Sequence, residues 1–191
     1  MTTMHPDLEP AAQRLAALVE AVPDEALAGP TPCARYTVGD LLDHIGGLAL
    51  GFRAAAVKQP LGVAPSGDAA RLAPDWRTRI PADLRAMAEA WKDPEAWTGM
   101  TGAGGVDLPG EVAGVVALDE LVVHGWDLAR ATRQPDDYEG PGLEAVHGLV
   151  QHFQASGIDI FGPPVEVPED APLMDRIVGL AGRDPGWAPP D

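Results

Sequence analysis

The chain has 191 residues, 46% of them hydrophobic, and 29 acidic side chains against 13 basic ones give it a formal net charge of −16 at pH 7. This length and composition are typical of a globular chain with a buried core, and we expect one domain over residues 1–191. The negative charge argues against a partner that is nucleic acid or an anionic membrane, because both require a basic surface.

Apolar periodicity predicts the first three helices in the N-terminal half of the chain. The first covers residues 8–22. The second covers 38–57 and follows Thr37 and Asp40, whose spacing is typical of an N-terminal helix cap. A loop rich in Pro, Gly and Ala separates it from a third helix, which is expected to begin after Pro81.

The second half continues the helical pattern. A glycine-rich stretch over 99–110 is expected to be irregular, and helices follow over 111–132 and 143–156. Residues 161–168 contain three prolines and are expected to be extended, and a short helix covers 173–180. Strand candidates are few and short. We therefore predict an all-α fold: an antiparallel four-helix bundle with a short additional C-terminal helix and irregular extended segments.

The fourth helix carries polar side chains on an apolar face. Positions three, four and seven residues apart share one side of a helix, and this side carries Ala113, Val116, Ala117, Glu120, His124, Asp127 and Ala131. A buried carboxylate without a partner is costly. A divalent metal removes that cost because it binds a Glu oxygen and a neutral His nitrogen directly. Glu120 and His124 are therefore predicted to bind one ion.

His44 is the best candidate for a third ligand, because it lies at the border of the apolar stripe of the second helix. With Glu120 and His124 it forms a His₂Glu set that leaves a coordination position open, as catalytic zinc sites do. Asp127 has three interpretations: a surface charge, a further ligand, or a hydrogen-bond partner of a ligand histidine. The last is favoured.

Plainer interpretations of the same residue types are open from the sequence alone. A Glu and a His four residues apart often form a simple surface contact on a helix. His147 and His152 are five residues apart, which is poor spacing for a shared site, and neither is expected to bind metal.

The one cysteine, Cys33, excludes an internal disulfide and a cysteine-based metal cluster, and it suits a reducing cytoplasm. Nothing near it except Arg35 would activate it, so a buried structural thiol is expected. The N-terminus has no signal-peptide pattern, and no apolar run approaches the ~18 to 20 residues of a membrane span. We expect a cytoplasmic protein.

Two motifs resemble the mycothiol-dependent maleylpyruvate isomerase N-terminal domain family. The first is Thr31-Pro-Cys-x-x-Tyr-Thr-Val-x-Asp-Leu-Leu-x-His44-x-Gly-Gly47, and the second is Leu118-x-Glu-x-x-x-His-Gly-Trp-Asp-Leu-Ala129. The end of the chain is similar to the small, single-domain, actinobacterial metal-binding branch of that family, and it reads Phe161-Gly-Pro-Pro-Val and Asp175-Arg-Ile-Val-Gly-Leu-x-Gly-Arg-Asp-Pro-Gly-Trp187.

The resemblance implies a DinB-like bundle in which three side chains hold a divalent metal between helices, and His44, Glu120 and His124 match those positions. Characterised relatives are thiol transferases or isomerases that use mycothiol or bacillithiol, and the matched branch implies mycothiol as cosubstrate. A homodimer is compatible with the resemblance. The full isomerase carries a further C-terminal domain that contributes to catalysis, whereas only about 60 residues of a different pattern follow Thr132. The isomerase reaction itself is therefore not implied.

The leading hypothesis is a metal-dependent mycothiol transferase. A divalent ion, expected to be zinc, would bind the thiol, whose ordinary pKa is ~8.5, and the thiolate would attack an electrophilic small molecule. The alternative is a non-catalytic bundle that binds metal or a small molecule. A helical scaffold without metal is the third reading, and it leaves Glu120 unpaired on an apolar face.

Overall fold

The computed structural model describes residues 5–62, 66–136, 138–157 and 160–190. These ranges contain six α-helices and two short strands. In chain order they are α1 (Glu9–Glu20), α2 (Val38–Ala56), α3 (Trp76–Ala90), β1 (Met100–Ala103), β2 (Val106–Pro109), α4 (Gly110–Ala131), α5 (Leu143–Ala155) and α6 (Leu173–Leu180). All helices except α3 begin and end within two residues of their predicted bounds. The fold is therefore mostly helical with a small sheet.

The first four helices share one core. Helix α1 contacts α3 and α4, and α2 contacts the same two helices, so α2 and α4 are neighbours as predicted. Fully buried side chains from these helices meet at the centre, among them Leu15, Leu41, Ile45, Ile80, Leu84 and Leu118. None of the helices in the described ranges is long and apolar enough to span a bilayer.

The start of α2 is fixed by a reciprocal cap. The Thr37 side chain accepts a hydrogen bond from the backbone N–H of Asp40 at 3.2 Å, and Asp40 Oδ2 accepts one from the backbone N–H of Thr37 at 2.9 Å. Such a capping box satisfies two amide groups that the first turn leaves without helical partners. It thereby fixes the start of α2, the helix that carries His44.

Helix α3 corrects the prediction that it begins after Pro81. It begins at Trp76, and Pro81 lies inside it. Proline at this position removes one helical hydrogen bond. Trp76, Ile80 and Leu84 compensate, because they recur at four-residue intervals and are all buried on the same side of the helix.

The glycine-rich stretch before α4 corrects the all-α prediction. It is an antiparallel hairpin in which Met100 pairs with Pro109 and Ala103 pairs with Val106. Gly104 and Gly105 connect the strands, and both have positive φ, at 60° and 84°. A two-residue turn with positive φ at both positions matches the right-handed twist of paired strands, and glycine reaches that conformation without steric cost.

Helix α4 lies at the centre of the molecule and carries most of the site. Nearly every residue from Ala117 to Ala129 is buried, so the helix is covered on all sides rather than on one stripe. Helix α5 packs on α4, and α6 packs on α5. Residues 161–168 form no helix, as predicted, and the backbone N–H of Val165 donates to the carbonyl of Gly179 at 2.9 Å.

Candidate metal centre

The structure brings His44, Glu120 and His124 together between α2 and α4. Glu120 Oε2 lies 3.1 Å from His124 Nε2 and 3.9 Å from His44 Nε2. One ligand atom from each residue can be chosen so that all three lie within 4.8 Å of one another. Among the described residues, this is the one group of three or more His, Cys, Asp or Glu side chains that meets this spacing.

The spacing and chemistry of this cluster fit a divalent ion. Zinc bonds to imidazole nitrogen and carboxylate oxygen are ~2.0–2.2 Å long, which puts tetrahedral ligand atoms roughly 3.3 Å apart. The Glu120–His124 distance already matches this value, whereas His44 Nε2 lies 3.9 Å from Glu120 and would have to move closer to complete the set. Two imidazoles and one carboxylate leave a fourth position open.

Asp127 contacts the cluster through the Nδ1 atom of His124. Its carboxylate is fully buried, and Oδ2 lies 2.9 Å from His124 Nδ1. With Nδ1 engaged in this way, the other nitrogen of His124, Nε2, faces Glu120. A carboxylate on the far nitrogen of a ligand histidine fixes the ring and raises its basicity, which is a common arrangement around protein-bound zinc.

Arg183 completes this buried chain of contacts. It lies just after α6, is 9% exposed, and donates from Nε to Asp127 Oδ1 at 3.2 Å and from Nη2 to Asp127 Oδ2 at 2.9 Å. The two bonds form the fork geometry that guanidinium groups adopt with carboxylates. Asp127 therefore contacts two cationic or polar partners and has no exposed surface.

Burial and neighbouring charges set different protonation states for the two histidines. Burial, together with the charge on His124, lowers the pKa of His44 to about 4, so this imidazole is neutral at pH 7. Burial also disfavours the charged form of His124, but its hydrogen bonds to Asp127 and Glu120 outweigh that effect and raise its pKa to about 10. In the metal-free protein His124 is an imidazolium held between two carboxylates.

The pKa values of the two carboxylates, Glu120 and Asp127, are both lowered. Burial raises the pKa of Glu120, but the hydrogen bond from His124 more than offsets it, and the pKa of Glu120 is lowered. The pKa of Asp127 is likewise lowered despite burial, first by the charge of Arg183 and then by His124. Both groups are therefore negative at neutral pH, and Glu120 is the one of the two that belongs to the possible metal-binding group.

A cavity of about 480 Å³ opens onto the cluster. Its walls include His44 and Glu120, together with Arg35, Tyr36, Gly47 and Ser66. The Tyr36 hydroxyl shares a hydrogen bond with Ser66 Oγ at 3.2 Å, and the Tyr36 ring lies 5.1 Å from the His44 ring between centroids. Cavities of this size hold small-molecule ligands.

Other residues singled out from the sequence lie away from this cluster. His147 is on α5 and its Nε2 lies 3.3 Å from Arg176, and His152 is near the end of the same helix. Neither belongs to the His44, Glu120 and His124 group. Cys33 is buried with a free thiol, in agreement with the expected burial.

Two site residues escaped prediction. Arg183 is far from α4 in sequence. It lies in the C-terminal motif quoted above, but neither that motif nor Gly182, a helix-ending glycine, says in which direction its side chain points. Asp119 is 4% exposed, and burial raises its pKa to about 8. A reading of α4 as covered on all sides, rather than on one face, would have identified Asp119 as buried.

The fold and the cluster define a mostly helical protein with a His–Glu–His group between two helices. Residues 8–129 match the family described as the mycothiol maleylpyruvate isomerase N-terminal domain, and the chain belongs to that family. The match includes all three cluster residues and Asp127, and it ends before Arg183.

The chain is also similar to two uncharacterized proteins of Mycobacterium tuberculosis, one from strain CDC 1551 / Oshkosh and one from strain ATCC 25618 / H37Rv. Each is 31% identical over 179 residues, which cover 88% of this chain and 91% of the relative. No solved structure gave a significant match. The family description relates the chain to mycothiol, and both relatives come from an actinobacterium.

Proposed function

We propose that the chain is a divalent-metal-binding protein that acts as a metal-dependent mycothiol transferase on an electrophilic small molecule. The observation that carries the proposal is the His44, Glu120 and His124 cluster, which opens onto a cavity in a chain of a mycothiol-related family. We also infer that α1 to α4 form a DinB-like bundle within one domain, because each of α1 and α2 contacts both α3 and α4.

In this proposal His44, Glu120 and His124 hold the ion, which we propose is zinc, since two imidazoles and a carboxylate are ligands that zinc accepts. When bound, such an ion supplies a positive charge that deprotonates a coordinated thiol. Asp127 accepts a hydrogen bond from Nδ1–H of His124, which keeps that proton on Nδ1 and leaves Nε2 as the nitrogen that can bind the ion. His44, neutral at pH 7, needs no deprotonation to bind.

In the proposed reaction the cavity holds the thiol and the electrophilic small molecule next to each other. The thiol gives up its proton to solvent, and a sulfur electron pair forms a new C–S bond to the electrophilic carbon. When the electrophile is an alkene conjugated with a carbonyl group, the displaced electron pair moves onto that group and a proton from water completes the product. When the electrophile is an activated haloarene, the carbon–halogen bond breaks and halide leaves with its electron pair. Arg35 and Tyr36 line the cavity beside His44, where they can hydrogen-bond to polar groups of either reactant.

A second candidate is a protein that binds metal or a small thiol without chemistry. The family match supports this second candidate in one respect, because the matched family is the N-terminal domain of the isomerase rather than the whole enzyme. In either case, the net charge of −16 supports a protein without nucleic-acid partners. A cytoplasmic location and a homodimer remain part of the proposal.

The test uses the purified full chain loaded with zinc. Mycothiol binding is measured by calorimetry, and thiol consumption is then followed with a panel of activated alkenes and haloarenes. The proposal predicts thiol consumption above the uncatalysed rate in wild type and loss of that excess in His44→Ala. Zinc binding with mycothiol consumption at the uncatalysed rate for the whole panel would favour the binding protein over the transferase.

A further inference from the structure

The end of helix α6 holds Arg183 in one position. The backbone N–H of Gly182 donates to the carbonyl of Gly179 at 3.0 Å, and the backbone N–H of Arg183 donates to the carbonyl of Val178 at 2.8 Å. These two bonds form the Schellman motif that ends many helices. Gly182 has φ of +80°, as this motif requires, and a Cβ there would lie 2.9 Å from the Cα of Gly162.

The Arg183 side chain then reaches inward rather than into solvent. Nη1 donates to the carbonyl of Ala181 at 2.7 Å, while Nε and Nη2 both bind the Asp127 carboxylate. Three hydrogen bonds thus join this guanidinium to the Ala181 carbonyl oxygen and to both carboxylate oxygens of Asp127. The side chain therefore has little freedom to rotate, and neither does the carboxylate that it holds.

We propose that Arg183 is a positioning residue for the metal centre: it fixes the Asp127 carboxylate, which in turn fixes the His124 ring with Nε2 directed at Glu120 and His44. This inference rests on the proposed metal site. It extends that site beyond the family-matched range of 8–129, because the segment after α6 supplies the contact that holds Asp127.

The chemistry of the guanidinium explains why arginine suits this position. A carboxylate held by one hydrogen bond to His124 can turn about its Cβ–Cγ bond, whereas two parallel bonds from a planar fork prevent that rotation. A lysine ammonium keeps the charge but has no fork, so it compensates Asp127 without fixing its plane. Arg183→Lys therefore keeps the positive charge beside Asp127 but removes the two parallel bonds that orient the carboxylate, so the two effects can be measured separately.

The experiment compares Arg183→Met, Arg183→Lys, Asp127→Asn and the double variant Asp127→Asn/Arg183→Met, with Arg176→Met as the matched control. Arg176 is an arginine of α6 whose Nη2 lies near His147, away from the cluster. Two quantities are measured in the full chain: zinc affinity by competition with a chromophoric chelator, and the ¹H–¹⁵N signal of the His124 Nδ1 proton in metal-free protein.

The proposal predicts a zinc affinity roughly 10-fold weaker in Arg183→Met, the lower end of the loss typical for residues behind a ligand. Arg183→Lys should recover part of it, and Arg176→Met should match wild type. The double variant should bind zinc no more weakly than Asp127→Asn alone, because Arg183 acts through Asp127. The Nδ1 proton signal should broaden or vanish in Arg183→Met.

Two results separate failure of this inference from failure of the proposed function. If Arg183→Met is less stable but keeps wild-type zinc affinity and an unchanged Nδ1 proton signal, Arg183 is a structural residue only and the inference is overturned. If wild type binds no zinc while the Nδ1 signal still depends on Arg183, the metal-dependent function is wrong but Arg183 still orients His124.

Discussion

Replacement of Asp127 by Asn is the most informative single change near the cluster. The carboxylate has no exposed surface, and its Oδ2 lies 2.9 Å from both His124 Nδ1 and Arg183 Nη2. An amide oxygen can take the place of Oδ2, but the amide NH₂ then occupies the place of Oδ1 and faces the Arg183 Nε donor, which it cannot accept from. The substitution also leaves the Arg183 guanidinium, which is 9% exposed, without a compensating charge.

Two magnitudes follow from this loss. Zinc affinity should fall by about 10- to 100-fold, because the group behind His124 loses its negative charge and one of the two bonds from Arg183 that hold it in place. The free energy of unfolding of the metal-free protein should fall by about 3–5 kcal/mol, the usual effect of removing one partner from a buried ion pair. Chelator competition measures the first quantity, and urea denaturation monitored by circular dichroism measures the second.

The matched control is Asp107→Asn, which changes an exposed carboxylate in β2 and should alter neither quantity. If Asp127→Asn retained wild-type zinc affinity, Asp127 would have no role in holding a ligand. If it also retained wild-type stability, the buried Asp127–Arg183 pair itself would be in doubt.

Three further predictions concern protons and backbone. Because His124 is charged and His44 neutral at pH 7, zinc binding should release about one proton, and calorimetry in buffers of different ionisation enthalpy should detect it; zero release would contradict the assigned states. Asp119 has a pKa of about 8 in the folded protein, above its unfolded value, so the folded state holds a proton that the unfolded state has lost. The free energy of unfolding of metal-free wild type should therefore fall relative to that of Asp119→Asn as the pH rises from about 5 to 8, and parallel urea-stability profiles would refute this. Gly182→Ala should cost about 1–3 kcal/mol and weaken zinc binding, because of the positive φ, whereas Gly148→Ala, in open space on α5, should stabilise the chain; equal effects in thermal melts would argue against the Schellman constraint.

Local rules predicted much of the helical core and the composition of the cluster. Helical periodicity alone puts Glu120 and His124 on one face, because residues four apart are neighbours on any α-helix. The capping signal at Thr37 fixed the start of α2, and its apolar stripe indicated that His44 borders the core. These features depend on residues close together in the chain, which is why a single sequence reveals them.

The errors arose where tertiary contacts outweighed local preference. Pro81 is typical of a helix start, yet α3 begins five residues earlier, at Trp76, because Trp76 and Ile80 are buried in the core. Arg183 could not be assigned because its partner, Asp127, is on a different helix, and side-chain direction after a helix end depends on the neighbouring packing. Asp119 was missed because an apolar stripe was expected where α4 is enclosed on every side.

A zinc competition titration on wild type, His124→Ala and His147→Ala tests the central claim most directly. We predict one ion per chain in wild type, a collapse of zinc affinity in His124→Ala, and wild-type affinity in His147→Ala, with circular dichroism checking that each variant is folded. Equal zinc affinity in wild type and His124→Ala would contradict the metal site, and the proposed thiol chemistry would fall with it.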